Sequence, residues 1–147
     1  MASIVESNRR KIMQSIRHEN TMPEVELRKF LYSCGIRYRK NYAPLPGKPD
    51  IAITSKQLAI FVHGCFWHQH RNCNITNFPS RNTEYWSKKF KTNKERDKKN
   101  QAELVELGWK PLVIWECEIL DLNRKVRNLG FVLKIIGEYD IHTQNNK

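Results

Sequence analysis

Between Gly64 and Asn82 the chain runs through a stretch with no hydrophobic period, yet the stretch opens GCFWHQHRNC, dense in cysteine, histidine and aromatic side chains. A loop of that length inside a compact domain needs something other than a core to hold it, and such loops usually carry function. The run before it, Leu58 to His63 (LAIFVH), is apolar on both faces, as a central strand is. After it, Thr83 to Leu107 reads as a long basic helix with Trp86, Phe90, Leu104 and Leu107 inward, closed by Gly108. The chain must therefore clamp a coreless loop onto the end of a buried strand.

The remaining segments supply a layered α/β domain. Thr21-Met-Pro-Glu24 combines a capping-box pattern with an early proline, so a helix is expected from about Pro23 to Cys34, stopping at Gly35, with Val25, Leu27, Phe30 and Leu31 as its core face. Ile36 to Lys40 reads as a short strand, and Asn41 to Lys48, with Pro44, Pro46 and Gly47, as a loop. Asp50 to Thr54 and Leu58 to His63 are two β-rich runs joined by three residues, as in an antiparallel hairpin. Lys110 to Glu116 is a further buried strand, and Arg124 to Tyr139 a last amphipathic helix. The order implies a mixed sheet flanked by helices. With 147 residues, the division is a basic arm or helix over 1–20, one domain over 21–140 and a polar C-terminal tail over 141–147.

Charge narrows the partners. Lys and Arg number 26 against 15 Asp and Glu, a net +11, which favours nucleic acid, and no segment pairs a wide apolar face with a basic one as a membrane-surface helix does. No apolar run approaches the ~18 residues of a membrane helix. The N-terminal MASIVESNRRK carries no export signal, so the expected location is the cytoplasm, with the 4 cysteines as thiols or metal ligands rather than disulfides. Neither a G-x-G-x-x-G turn nor a phosphate loop of the G-x-x-x-x-G-K-S/T kind is present.

Cys65, His68, His70 and Cys73 fall within the one loop, and Cys117 lies just past the strand at Lys110. Three thiolates and one imidazole make a tetrahedral zinc set, and spacing alone permits either histidine. The plain alternative is a group of reduced thiols in an apolar interior. Cys34, at a helix end, reads as packing. Asp50, directly after Gly-Lys-Pro at a strand start, can hold a hard cation or simply satisfy a turn. Glu24 can complete its capping box.

LPGKPD (Leu45 to Asp50), FVHGCFWHQHRNC (Phe61 to Cys73), NTEYW (Asn82 to Trp86), NKERD (Asn93 to Asp97) and LGWKPLVIWECE (Leu107 to Glu118) occur in the order and spacing of the very short patch repair DNA mismatch endonucleases. The chain resembles that family from about Asn8 to Leu120. The resemblance implies a restriction-endonuclease-like fold with a structural zinc loop, and a monomer that nicks one strand of double-stranded DNA beside a T:G mismatch. It implies magnesium held by Asp50 and the backbone carbonyl of Val62, with Glu24 acting through water. His63 and His68 would lie at the scissile phosphate, His68 activating water and Asp97 supporting it. Cys65, His70, Cys73 and Cys117 would hold structural zinc. Phe66, Trp67 and Trp86 would wedge into DNA from one groove and Met13 from the other. Other mismatch-repair proteins are implied partners, with the enzyme on the nucleoid when bound to DNA. The acidic-x-Lys element usual in restriction nucleases is missing, because Ile60 and Val62 occupy that strand, so histidine must take over the work of the lysine. A nicking enzyme without a mismatch requirement, and a zinc-stabilised DNA-binding module without catalysis, are the competing readings.

Overall fold

The computed structural model describes residues 20–73 and 76–145. The arm over 1–20, apart from Asn20, and Met13 with it, lies outside the described residues. The elements are α1 (Met22–Ser33), β1 (Arg39–Lys40), β2 (Ile51–Ile53), β3 (Leu58–His63), α2 (Thr83–Glu106), β4 (Lys110–Trp115), a single turn α3 (Glu116–Ile119) and α4 (Gly130–Asn145).

One four-stranded sheet in the order β1-β2-β3-β4 carries the domain. β1 and β2, and β2 and β3, are antiparallel, whereas β3 and β4 are parallel. A parallel neighbour requires a crossover, and the long α2 provides it. The sheet is mixed and flanked by helices, as expected.

Alternation along the strands sorts the two faces. Ile51 and Ile53, Leu58 and Ile60, and Ile114 form one core with Leu27 and Leu31 of α1 and with Leu129, Val132 and Ile136 near and on α4. Ala52 and Ala59 lie on the opposite face and are also fully buried. Asp50 and His63 fall on that second face by the same alternation, and α2 packs against β4. Gly47, in the loop before β2, has φ +76°, and a Cβ there would stand 3.0 Å from Asn100 of α2. The loop therefore needs glycine both for its backbone and for its approach to the helix.

Several boundaries differ from expectation. Only Arg39 and Lys40 of the expected strand from Ile36 pair with β2, while Ile36 and Tyr38 pack against the core without joining a ladder. The hairpin connection is a 3-10 turn, Thr54–Lys56, followed by Gln57 at φ 50°. Leu107 was expected inward but is 58% exposed, because it lies just past the helix at the turn closed by Gly108. The last helix begins at Gly130 rather than Arg124, since Leu120 to Val126 forms an isolated bridge instead, and it runs to Asn145, into the expected tail. The single turn α3 was not anticipated.

Ile60 is fully buried at the centre of this core. Ile60→Ala should lower unfolding free energy by about 2–5 kcal/mol, read as a shift in the urea midpoint with an unchanged slope.

Candidate active site

Three acids, two histidines and a cluster of basic side chains line one cleft of about 520 Å³, among them Glu24, Asp50, Val62, His63, His68, Lys89, Arg96 and Asp97. A larger cavity of about 780 Å³ opens at the other end of β2, lined by Arg37, Arg39 and Lys56 among others, with no carboxylate or histidine in its walls. The groups able to do acid–base chemistry are therefore in the smaller cleft.

Asp50 precedes β2 and is held by its neighbour strand: the Val62 N–H donates to Asp50 Oδ2 at 2.7 Å. Burial raises its carboxyl to a pKa of about 7, and the nearby Glu24 adds to the rise against that hydrogen bond. Glu24 is also raised, by burial, although hydrogen bonds from Thr21 and Asn20 and the charge of Arg28 favour its ionised form. The Asn20 N–H donates to its Oε2 at 2.9 Å, the Thr21 hydroxyl to its Oε1 at 3.1 Å, and Arg28 Nη1 stands 3.9 Å away. The expected capping box is not made: Thr21 has no side-chain capping bond, and Glu24 takes the preceding Asn20 amide instead.

On the other wall, the rings of His63 and His68 stack with centroids 3.8 Å apart and 6° between planes. His68 Nδ1 lies 2.6 Å from Asp97 Oδ2. Burial and the adjacent His68 push His63 down to about 4, so it is neutral at physiological pH. Burial opposes the charge on Asp97, but the hydrogen bond from His68 together with the nearby charges of His68, His63 and Arg96 outweighs it, and its carboxyl is lowered. His63, His68 and Asp97 are close enough together to suggest a metal site. Parallel stacked imidazoles direct their lone pairs into separate planes, however, so the arrangement suits proton transfer better than joint ligation.

Asn93 was not singled out as a site residue. It is 7% exposed, its amide donates to the Trp67 carbonyl at 3.1 Å, and its oxygen accepts from Arg96 at 3.0 Å. It stands one turn before Asp97 on α2, so two positions of one helix face grip consecutive loop residues, Trp67 and His68. That i, i+4 spacing was the available signal.

Cys65, His70, Cys73 and Cys117 converge, with ligand atoms all within 4.8 Å of one another, so they could hold a metal ion. His70 Nδ1 is 3.8 Å from Cys65 Sγ and 3.4 Å from Cys117 Sγ. His68 is not part of this group. Burial raises both the Cys65 and Cys117 thiols, as it does for thiols packed together without a cation. Cys34 is exposed and apart.

Phe66, Trp67 and Trp86 gather with Phe90 into one aromatic cluster, Phe66 lying edge-on to Trp67 at 5.2 Å, to Trp86 at 5.5 Å and to Phe90 at 5.4 Å. The neighbours Phe66 and Trp67 are both half-buried, because the tight turn after Gly64 brings adjacent side chains to the same cluster; neither is left fully exposed.

A family model described as DNA mismatch endonuclease Vsr matches residues 2–75. The type II nicking enzyme V.XorIIP of Xanthomonas oryzae pv. oryzae is 44% identical over 124 residues, covering 82% of this chain and 90% of that one. The DNA mismatch endonuclease Vsr of Escherichia coli is 39% identical over 113 residues, covering 77% and 72%. The chain belongs to the Vsr family. It is thus a DNA endonuclease, and the mixed sheet flanked by helices is the restriction-endonuclease-like fold of Vsr. The family match ends at residue 75, whereas the similarity to whole Vsr relatives extends over most of the chain. As for membranes, no helix among the described residues is long and apolar enough to cross one.

The Asp50 carboxyl, raised in the folded state from 3.8 to about 7, binds its proton more tightly folded than unfolded. Its contribution to stability is therefore full below the unfolded value and is lost as pH climbs from about 4 to about 7. In buffer without divalent cations at pH 8, Asp50→Asn should raise unfolding free energy by about 1–2 kcal/mol, with little change at pH 4, measured by thermal melting at both pH values.

Proposed function

We propose that this Vsr-family endonuclease is magnesium-dependent, nicks one strand beside a T:G mismatch and thereby starts very short patch repair. The observation that carries the reading is one cleft holding Asp50 on the Val62 amide opposite the stacked His63–His68 pair anchored by Asp97.

The donor chemistry fits a hard cation. Glu24 and Asp50 share the cleft, and burial, reinforced by the neighbouring Glu24, raises Asp50 to about 7. In an extended strand a residue's N–H and C=O face the same edge, so the Val62 carbonyl faces the Asp50 side. Asp50 and that carbonyl would hold magnesium, with Glu24 reaching it through water. Magnesium, when bound, polarises the phosphate and offsets the charge that develops on it.

The chain's own groups do the rest. With Asp97 ionised and engaged at Nδ1, His68 is held with that nitrogen as donor, leaving Nε2 to take a proton from the attacking water. His63, kept neutral, offers a flat hydrogen-bonding ring beside the phosphate without competing for that proton. Lys89 and Arg96 in the cleft wall supply positive charge toward DNA, and exposed lysines along α2 extend it.

The Cys65, His70, Cys73 and Cys117 set fits zinc. Tetrahedral zinc with ordinary Zn–S and Zn–N bonds has S···N edges of about 3.5 Å, and the two sulfur–Nδ1 separations are 3.4 and 3.8 Å. Zinc, when bound, replaces the missing apolar core of the loop with strong bonds. Cys117→Ala should lose the metal and cooperative unfolding together. Active protein purified without chelators and found by metal analysis to contain no zinc would remove this assignment.

Phe66, Trp67 and Trp86, half-buried against each other, are a ready source of base stacking, and a mismatched step is cheaper to open than a paired one. A mismatch lacks two-fold symmetry, so a monomer acting on one strand suffices. The relatives named type II nicking enzymes favour a second reading, a nicking enzyme of a modification system that needs no mismatch.

End-labelled duplexes, matched or carrying each mismatch, with and without magnesium, separate these readings. The expected outcome is a single nick on T:G duplex only with magnesium; equal cleavage of matched duplex would favour the second reading. Asp50→Asn and His68→Ala should each abolish nicking while zinc content and DNA affinity persist. Trp67→Ala should instead keep cleavage chemistry and lose mismatch preference, since stacking is worth about 1–3 kcal/mol per base.

A further inference from the structure

Trp115, the last residue of β4, has no role in the reading above, yet its side chain touches both clusters. Its ring stacks on His70 of the cysteine–histidine set, centroids 4.0 Å apart and 10° between planes. The same ring meets His63 at 5.2 Å and 82° and His68 at 6.4 Å and 76°, both edge-to-face. His63 in turn stacks on His68, which Asp97 holds. An unbroken series of aromatic contacts therefore runs from the metal-binding group to the acid–base pair.

We propose that Trp115 is a positioning residue for nicking, which fixes the His63–His68 stack against the metal-clamped His70. The proposal rests on the catalytic reading of His68 given above. The backbone explains why Trp115 is suited to this: it is paired with His63 in the parallel ladder, so strand hydrogen bonds set its ring beside that imidazole. Its own N–H is tied to Glu118 Oε1 at 3.0 Å, and Cys117 follows two residues on. Thus the ring is fixed from its backbone, and one of its faces is covered by a ligand of the metal. Offset and edge-to-face ring pairs hold orientation as well as distance, and a hydrogen bond as short as the 2.6 Å between His68 and Asp97 depends on both. An indole removed from this position leaves His63 free to turn, and the ring stacked on it loses its backing.

The role predicts a division that simple packing does not. In Trp115→Leu, zinc content should remain at one per chain and affinity for T:G duplex should stay within about threefold, while kcat at saturating DNA and magnesium falls about 10- to 100-fold. Trp115→Phe, which keeps a flat ring, should recover most of that loss. The ring-proton NMR resonances of His68 should shift in the Leu variant and return in the Phe variant. Should Trp115→Leu fail to fold by melting, Trp115→Met, whose unbranched side chain adapts better to an irregular space, takes its place. Wild-type kcat in the folded aliphatic variant, or loss of zinc in step with loss of rate, or unmoved His68 resonances, would each overturn the proposal. Asp50→Asn assayed alongside keeps the two readings apart. If it still nicks, the catalytic reading itself fails; if it is inactive while Trp115→Leu cleaves at full rate, only the role of Trp115 fails.

Discussion

Everything distinctive in this molecule depends on the parallel pairing of β3 and β4. The register sets His63 opposite Trp115, and two residues beyond each of them stand Cys65 and Cys117, whose sulfurs lie within 4.8 Å of one another. Two neighbouring strands thus leave the sheet side by side, each delivering a thiol just past its last ladder residue. Parallel strands cannot be joined by a tight turn, so the intervening chain must travel far, and it carries back the loop and α2. The cysteine–histidine set gathers just where these two strands end.

The histidine wall of the cleft follows from the same constraint. β3 brings His63, the loop beyond it brings His68, and the crossover helix returns over the sheet to present Asn93 and Asp97 one turn apart. Antiparallel pairing with β2 on the other edge brings Asp50 to the Val62 amide. Burial then acts oppositely on the two walls, raising Asp50 and lowering His63, so that a carboxyl held near 7 faces a neutral imidazole.

How much of this was legible varies with the physics. Strands β2, β3 and β4 and helices α1 and α2 were readable within a residue or two, because apolar period and glycine or proline punctuation are local signals. The cysteine–histidine set was readable as a group, but the choice of His70 over His68 was not, since two spacings are stereochemically equal until the loop's turns are known. Asp50 and Glu24 each had a bland local explanation, and only their meeting in one cleft sets them apart. Ile36 and Leu107 were misjudged because whether a strand residue finds a partner, or a helix-end residue a neighbour, is decided by tertiary contacts. Trp115 and Asn93 look in sequence like a core aromatic and a surface amide; their significance lies wholly in what stands opposite them.

The span of these contacts has a consequence for how such an enzyme comes into being. Glu24 and Asp50 leave the ribosome early, but Asp97 comes much later and Cys117, which completes the clamp, later still. A chain interrupted anywhere before Cys117 has the Glu24 and Asp50 carboxylates but lacks the thiol that completes the cysteine–histidine set. The acid side of the cleft is therefore made well before the last member of the group that gathers the loop beside it.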